Sequence, residues 1–255
     1  MNTPLIPKVA RRYARLASTN TAAVEALNDG EDLPPGAVFW ADAQTAGRGQ
    51  GANRWHASPN ANLSLSIVVY PDHLAVDQLF ALTQVSALAV AETVRSLLPA
   101  SLTASVRVKW PNDVYVGDRK IAGILVQNGL RGSRVAWSVI GIGLNVNEAI
   151  FPTELRATAT SLRLLTGKVW DRERVGECLF TAFGATYGLL DAPELGQRYL
   201  ELLYRRGVVS SFLVTASGER ISGVILGVDA QGRLRLALAE GERAFALREL
   251  RLSIG

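Results

Sequence analysis

Three observations predict an α+β fold: a mixed, mostly antiparallel sheet with helices on one side, followed by a small barrel-like β unit. Helix-period and strand-period segments are interleaved between residues 13 and 203. The connections between successive strands there are short, which favours a meander over parallel crossovers. After Arg205, Arg206 and Gly207 the texture changes to short strands punctuated by turn dipeptides, the spacing of a small barrel. Residues 1–206 are therefore expected to form one domain and 207–255 a second.

The elements follow in order. Residues 13–16 read as a short strand, and Ser18 and Thr19 stand where a helix N-cap belongs, ahead of Ala22, Ala23, Val24, Ala26 and Leu27. Asn28, Asp29 and Gly30 stop that helix. A turn at Pro34, Pro35 and Gly36 leads to a strand over 38–43. Leu63, Leu65, Ile67 and Val69 then alternate with Ser64 and Ser66, the period of a strand with one well-buried face, and Pro71 ends it. Residues 77–98 keep apolar spacing of a helix up to Pro99. Val106, Val108 and Trp110 fall on one side of a strand and Arg107 and Lys109 on the other, with Pro111 closing it. Residues 114–116 and 121–127 form a hairpin around Gly117-Asp118, and 134–142 pairs next, after turns at Asn128-Gly129 and Arg131-Gly132. Asp171 caps a helix running to about Leu190, and Pro193 opens another through Leu203. Four strands, 208–214, 220–228, 233–239 and 244–252, make the C-terminal unit.

Composition narrows the class. A chain of 255 residues, 48% hydrophobic and 20% charged, is globular and long enough to bury roughly three quarters of its unfolded surface. The net charge of +4 suits an acidic or phosphate-bearing partner without demanding one. A single cysteine, Cys178, excludes an internal disulfide; it lies in an apolar helical stretch and reads as a buried structural thiol. Lys8, Arg11 and Arg12 are not followed by an apolar segment, so no signal peptide is expected. The longest apolar run, 135–144, is far too short for a membrane span. A cytoplasmic protein without membrane contact is the expectation.

The stretch 44–55 reads Gln-Thr-Ala-Gly-Arg-Gly-Gln-Gly-Ala-Asn-Arg-Trp. Gly47, Gly49 and Gly51 allow positive φ and close backbone approach, and amides in such loops, joined by Arg48 and Arg54, form a concave anion site. Gly47-x-Gly49-x-x-Ala52 fits the letters of a dinucleotide fingerprint, but Trp55, His56, Ser58, Pro59 and Asn60 do not supply the helix that must follow. The lysine of a P-loop is missing as well. A ligand-wrapping loop and an ordinary surface loop both remain open on this stretch alone.

Three further clusters carry polar chemistry: Ser18-Thr19-Asn20, Lys109-Trp110-Pro111-Asn112-Asp113, and Gly141-Ile142-Gly143-Leu144-Asn145. Each also has a plain structural reading, as an N-cap, a strand-end turn, and a strand with close backbone packing. The turn reading accounts for Pro111, Asn112 and Asp113 and leaves Lys109 unexplained. His56 and His73 belong to no Ser-His-Asp or Cys-His pattern.

Taken together, in this order and at these separations, the clusters resemble those of the biotin protein ligases. The resemblance also takes in Asn62-Leu63-x-x-Ser66 and Arg119-Lys120-Ile121-Ala122-Gly123-Ile124-Leu125, and so spans nearly the whole chain. It implies a class II synthetase-like catalytic domain over 1–206 and an SH3-like β-barrel over 207–255. It also implies an activity: ATP activates biotin as biotinyl-AMP, and the biotin passes to a lysine of a biotin carboxyl carrier domain such as that of acetyl-CoA carboxylase. The matching biotin positions are Ser18, Thr19, Asn20, Gln44, Arg48, Gly49, Gln50, Lys109, Gly123, Gly141 and Gly143. The matching ATP positions are Arg48, Asn53, Arg54, Trp55, Lys109, Asn112 and Asn145. Trp55 reads equally well as a hydrophobic pin for the loop.

Physical chemistry supports such a site. Bringing a carboxylate within about 4 Å of a phosphate charge costs roughly 4 kcal/mol at an effective dielectric near 20, about a thousandfold in rate. Lys109 and Arg48 are placed to offset it and are the expected catalytic pair. Mg²⁺ would accompany ATP, held by phosphate oxygens and water without dedicated protein ligands. Two departures stand out: Gln50 where many family members carry a second loop arginine, and Ala17 where an acid often precedes Ser-Thr-Asn. About a dozen residues precede the first strand, too few for a DNA-binding domain, so no DNA partner is expected; homodimerisation stays open. Lipoate or octanoate transfer and non-catalytic biotin binding are the competing readings.

Overall fold

The computed structural model describes residues 5–253 except 52 and 133. Ala52, the last letter of the rejected dinucleotide pattern, and the outermost residues of both expected domains, 1–4 and 254–255, lie outside the described residues.

A seven-stranded sheet is built from β1 (Lys8–Tyr13), β2 (Ala37–Ala41), β3 (Leu63–Val69), β4 (Val106–Lys109), β5 (Asp113–Val116), β6 (Arg119–Arg131) and β7 (Arg134–Leu144). Its spatial order is β1-β2-β3-β7-β6-β5-β4, and only β1 and β2 run parallel. The first strand precedes the predicted segment: β1 is an edge strand whose alternation is hidden by basic side chains, and Leu16 makes only an isolated bridge to Gln44. Asn128-Gly129 is not a turn. It lies within β6, where Gly129 leaves room for the Trp137 indole that a Cβ would meet at 2.2 Å.

The helices are α1 (Thr19–Asn28), α2 (Phe80–Leu97), α3 (Ala100–Thr103), α4 (Leu162–Thr166), α5 (Arg172–Tyr187) and α6 (Pro193–Leu202). They do not all lie on one side as predicted. Val38, Trp40, Leu63, Leu65 and Ile67 face the main core with α2 and α5, whereas Phe39 and Val68 face a smaller core under α1. All seven residues of β3 are consequently buried, not one face of it: Ser64 and Ser66 lie on the α1 side of the sheet. Asp171 caps α5 through the Glu173 amide, as predicted. Cys178 on α5 is only half-buried, not buried. Among the described residues no helix is long and apolar enough to cross a membrane.

A second, five-stranded antiparallel sheet contains β8 (Val209–Val214), β9 (Arg220–Val228), β10 (Leu234–Leu238), β11 (Gly241–Phe245) and β12 (Leu250–Ser253), in the order β11-β10-β9-β8-β12. The predicted strand 244–252 is thus two strands. Between them Glu249 accepts from the Ala246 amide through its carboxylate and donates its own amide to Ala246 O, closing a turn in which Arg248 takes φ +73°. The second sheet packs on the first unit: Trp110 Nε1 donates to Gly232 O at 2.9 Å, and Gly232 lies against Phe80 at the start of α2.

Candidate active site

Strand register alone builds a trough. In the antiparallel pairing Ser66 sits beside Gly141 and Gly141 beside Leu125, while Ser64 sits beside Gly143 and Gly143 beside Gly123. Neighbours in such a ladder share a sheet face. Two rows therefore cross β3, β7 and β6 on the α1 side, one small throughout at Ser64, Gly143 and Gly123, the other small at Ser66 and Gly141. The glycines make room for protein side chains: a Cβ on Gly141 would come 2.1 Å from Asn20 Oδ1, and one on Gly143 2.3 Å from the Trp55 indole.

The N-terminus of α1 closes one end of the trough. Ser18 is in the N-cap position with extended backbone, yet its side chain makes no capping hydrogen bond and is buried at the cavity wall. Thr19 donates its amide (2.8 Å) and hydroxyl (3.3 Å) to Gln44 Oε1. Asn20 donates to Leu125 O (3.3 Å) and Gln127 Oε1 (3.0 Å), and its Oδ1 lies 2.6 Å from the Ser66 hydroxyl. Both amide protons of Asn20 are spent on protein partners, so Asn20 holds the floor rigid. The Ser18 hydroxyl and the Gln44 amide nitrogen keep hydrogen-bonding capacity for a ligand.

The glycine loop is a small hairpin. Arg48 and Arg54 face each other in an isolated antiparallel bridge, Gly49 N donates to Asn53 O (2.8 Å), and Trp55 N donates to Gly47 O (3.0 Å). Of its three glycines only Gly51 has positive φ, +61°. Gly47 is required for a different reason, since a Cβ there would lie 2.7 Å from the Trp55 carbonyl. Arg48 and Arg54 are exposed, and neither side chain has an ion pair among the described residues. Buried Glu148 fixes the loop's C-terminal root by accepting from Ser58 N (2.9 Å), Ser58 Oγ (2.7 Å) and Asn62 Nδ2 (2.7 Å).

Ser18, Thr19, Asn20, Gln44, Arg48, Gly49, Gln50, Asn53, Arg54, Trp55, Asn112, Gly123, Gly141 and Gly143 thus line one inner cavity of about 120 Å³. Two predicted residues do not. Lys109 is in the same sheet row as Asp113 and Gly123 but two strands away from Gly123, roughly 10 Å at the usual strand spacing. It lines an outer cavity of about 450 Å³ that shares Gln50, Asn53, Asn112 and Asp113 with the inner one. Its ammonium is 3.4 Å from Tyr115 Oη, and burial, with Lys120 and Arg251 nearby, pushes its pKa down despite Asp113. Asn145 is buried behind the trough, donating to Thr160 O (3.0 Å), and Thr160 N in turn donates to Lys120 O (2.9 Å). Asn145 therefore supports the start of β6.

Lys120, part of the motif that carries the resemblance but given no site role there, is the further cation of the site. Its ammonium lies on the inner cavity, 2.6 Å from Asp113 and 5.7 Å from the centroid of the Trp55 ring. Simple alternation would put residues 120 and 123 on opposite faces. An irregularity in the β5–β6 register between Val114 and Tyr115 brings both to the same one. Ser66, quoted in the Asn62-Leu63-x-x-Ser66 motif without a site role, and Gln127 and Glu148, which carry no sequence signal, also belong to the site.

An inner pocket with a floor of neutral hydrogen-bonding groups and a rim of Arg48, Arg54 and Lys120 thus adjoins a larger one lined by Lys109, Arg248 and Arg251, with Asp113 common to both. Residues 13–145 match the Biotin/lipoate A/B protein ligase family. The chain belongs to that family. The bifunctional ligase/repressor BirA of Bacillus spizizenii is 32% identical over 89% of this chain and 68% of its own length. The biotin–[acetyl-CoA-carboxylase] ligase of Paracoccus denitrificans is 30% identical over 92% of this chain and 98% of its own. The biotin protein ligase of Aquifex aeolicus, solved in complex with biotin and ATP, superposes with a TM-score of 0.78 at 25% identity, covering 96% of this chain and 99% of that one. This member of the biotin/lipoate ligases therefore shares its fold across both sheets.

Proposed function

We propose that the chain is an ATP-dependent biotin–[biotin carboxyl carrier protein] ligase. The observation that carries the reading is the junction of the two cavities at Asp113, where Lys120 lines an inner pocket with a neutral hydrogen-bonding floor and Lys109 lines the outer one. In the first step a biotin carboxylate oxygen attacks the α-phosphorus of ATP. The bond to the α,β-bridging oxygen breaks, and pyrophosphate leaves with its electron pair. Lys120 and Arg48 offset the repulsion between the two anions. Ser18 and Gln44 hold the uncharged ring end of biotin, with Thr19 fixing Gln44 from behind and Asn20 holding the floor beneath.

Lys109, Arg54 and Asn53 face the nucleotide, and Trp55 covers the glycine trough with a buried Nε1 that has no protein partner. In the second step the unprotonated amine of an acceptor lysine attacks the acyl carbon and AMP leaves, with no enzyme nucleophile required. Among the described residues no group of acids, cysteines or histidines is arranged to hold a metal. Mg²⁺ would arrive on the phosphates of ATP. Residues 1–206 act as the catalytic domain in this reading and 207–255 as an SH3-like domain that closes the outer cavity. The separate second sheet and the outer-cavity lining by Thr215, Leu250 and Arg251 support that division. The acceptor is a biotin carboxyl carrier domain.

The testing experiment is formation of an adenylate from Mg-ATP without acceptor protein, with biotin, lipoate and octanoate in parallel. Biotinyl-AMP from biotin alone is the expected product. Tight biotin binding without adenylate would make the protein a binding module, and adenylate from lipoate or octanoate instead would reassign the substrate.

A further inference from the structure

The turn between β11 and β12 carries an arginine in a backbone conformation that non-glycine residues rarely adopt. Arg248 has φ +73°, in the left-handed region. The turn is held there from three directions: Glu249 accepts from Ala246 N at 2.8 Å, donates to Ala246 O at 3.1 Å, and accepts on its carbonyl from Thr215 N at 2.9 Å. Such strain persists where the surroundings over-determine it, and it concentrates at ligand sites. The side chain is exposed and has no ion pair or hydrogen bond among the described residues.

Its position is informative. Arg248 lines the outer cavity together with Lys109 and Arg251, and it also lines a neighbouring groove; Gln50 of the glycine hairpin and Asn112 border both. Against these three cations the outer cavity presents one carboxylate, Asp113, which already pairs with Lys120. Like charges gathered without a counter-charge repel one another, and a polyanion relieves that repulsion. Gln50, the hairpin residue that lines both spaces with Arg248, offers hydrogen bonds but no charge.

We propose that Arg248, delivered by the C-terminal sheet, binds the polyphosphate tail of the nucleotide and the leaving pyrophosphate, supplying the cation that the hairpin lacks at Gln50. The assignment rests on the adenylating reading above and deepens it. The inner cavity takes the carboxylate and α-phosphate, while Arg248, Arg251 and Lys109 take the β and γ groups. Closure of the second sheet over the first then becomes part of nucleotide binding.

Arg248→Gly is the decisive variant, because glycine adopts this φ without strain and so removes the guanidinium while easing the fold. Calorimetric binding of magnesium pyrophosphate to the whole chain should weaken about tenfold, the usual worth of one charge-assisted phosphate contact. The KM for MgATP in adenylation should rise by a similar factor, with biotin affinity unchanged. Adding Gln50→Arg to the Arg248→Gly variant should recover most of the lost pyrophosphate affinity, since the two positions border the same space. Unchanged pyrophosphate binding in Arg248→Gly would overturn the proposal, as would equal losses for biotin and pyrophosphate. The pyrophosphate measurement does not depend on biotin chemistry. A wild-type chain that binds pyrophosphate through Arg248 but makes no adenylate would therefore overturn the ligase reading alone.

Discussion

The two halves of the site are built on opposite principles. The inner half is sheet and helix: Asn20, Ser66, Gln127, Thr19 and Gln44 satisfy one another, and the glycines that face them leave no slack. The outer half is a strand end and a turn whose cations Arg248 and Arg251, like Arg48 and Arg54 on the hairpin that rims the inner cavity, have no ion pairs among the described residues. A preorganised floor suits recognition of an uncharged ring, whose polar groups must find partners already in place. An underneutralised rim suits a polyanion, which brings the missing charge with it. Substitutions in the floor should therefore cost stability and biotin affinity, and those in the rim nucleotide affinity and rate.

The largest effect is expected at the junction. Lys120→Ala should lower the adenylation rate about 10²–10³-fold, the usual cost of removing one preorganised group that stabilises developing charge. Lys109→Ala should cost about tenfold, mainly in KM for MgATP, because that ammonium lines the outer cavity. Both proteins should stay folded in thermal melts. A larger rate loss for Lys109→Ala than for Lys120→Ala would return the central role to Lys109.

Gly141 and Gly143 test the contrast between fixed and movable neighbours. A methyl group on Gly141 meets Asn20, which is pinned by three partners, and should cost about 1–3 kcal/mol of stability as an overpacked core does. The same change at Gly143 meets the Trp55 indole at the end of the hairpin, which can shift outward. Gly143→Ala should melt close to wild type and instead raise the KM for MgATP. Equal destabilisation in denaturant titrations would mean that the hairpin is as fixed as the floor.

Much of this was legible in the sequence, and the failures have definite causes. Helix boundaries at Asp171 and Pro193 followed from capping chemistry, α1 begins at the expected place although Ser18 makes no capping bond, and the residues named from the sequence include fourteen that converge on one cavity. Strand faces were harder. Ser64 and Ser66 read as a solvent face because nothing in the local pattern says that α1 crosses back over the sheet. Lys120 was hidden by the register irregularity in β5–β6, which reverses the alternation from which a face is inferred. Lys109 drew attention as an unexplained charge at a strand end, but counting residues along one strand does not show how many strands separate it from the trough. Gln127 and Glu148 act through partners 107 and 90 residues away, a separation that no sequence window spans.

The rim is also where pH should act. Burial depresses the pKa of Lys109, so the group loses its proton earlier than an exposed lysine as pH rises. Affinity for MgATP should accordingly fall with rising pH before the ordinary lysine range is reached. Lys109→Arg, which stays charged throughout, should flatten that limb. A limb that persists unchanged in Lys109→Arg would assign it to another group.

The smallest effect is expected at Gln50, where the two halves of the site meet. It lines the inner cavity and both outer spaces, so a side chain there can reach the phosphate that joins biotin to AMP. Glutamine offers that phosphate a neutral hydrogen bond; arginine would offer a charge-assisted one, about twice as strong. Gln50→Arg should therefore slow release of biotinyl-AMP by up to about tenfold while leaving biotin affinity and thermal stability unchanged. The gain should be smaller than the loss caused by Arg248→Gly, because in the wild-type chain the neighbouring guanidinium already supplies charge to this space. An adenylate dissociation rate untouched by Gln50→Arg would place residue 50 on the protein side of the hairpin and leave retention of the intermediate to Arg48, Lys120 and the Trp55 cover.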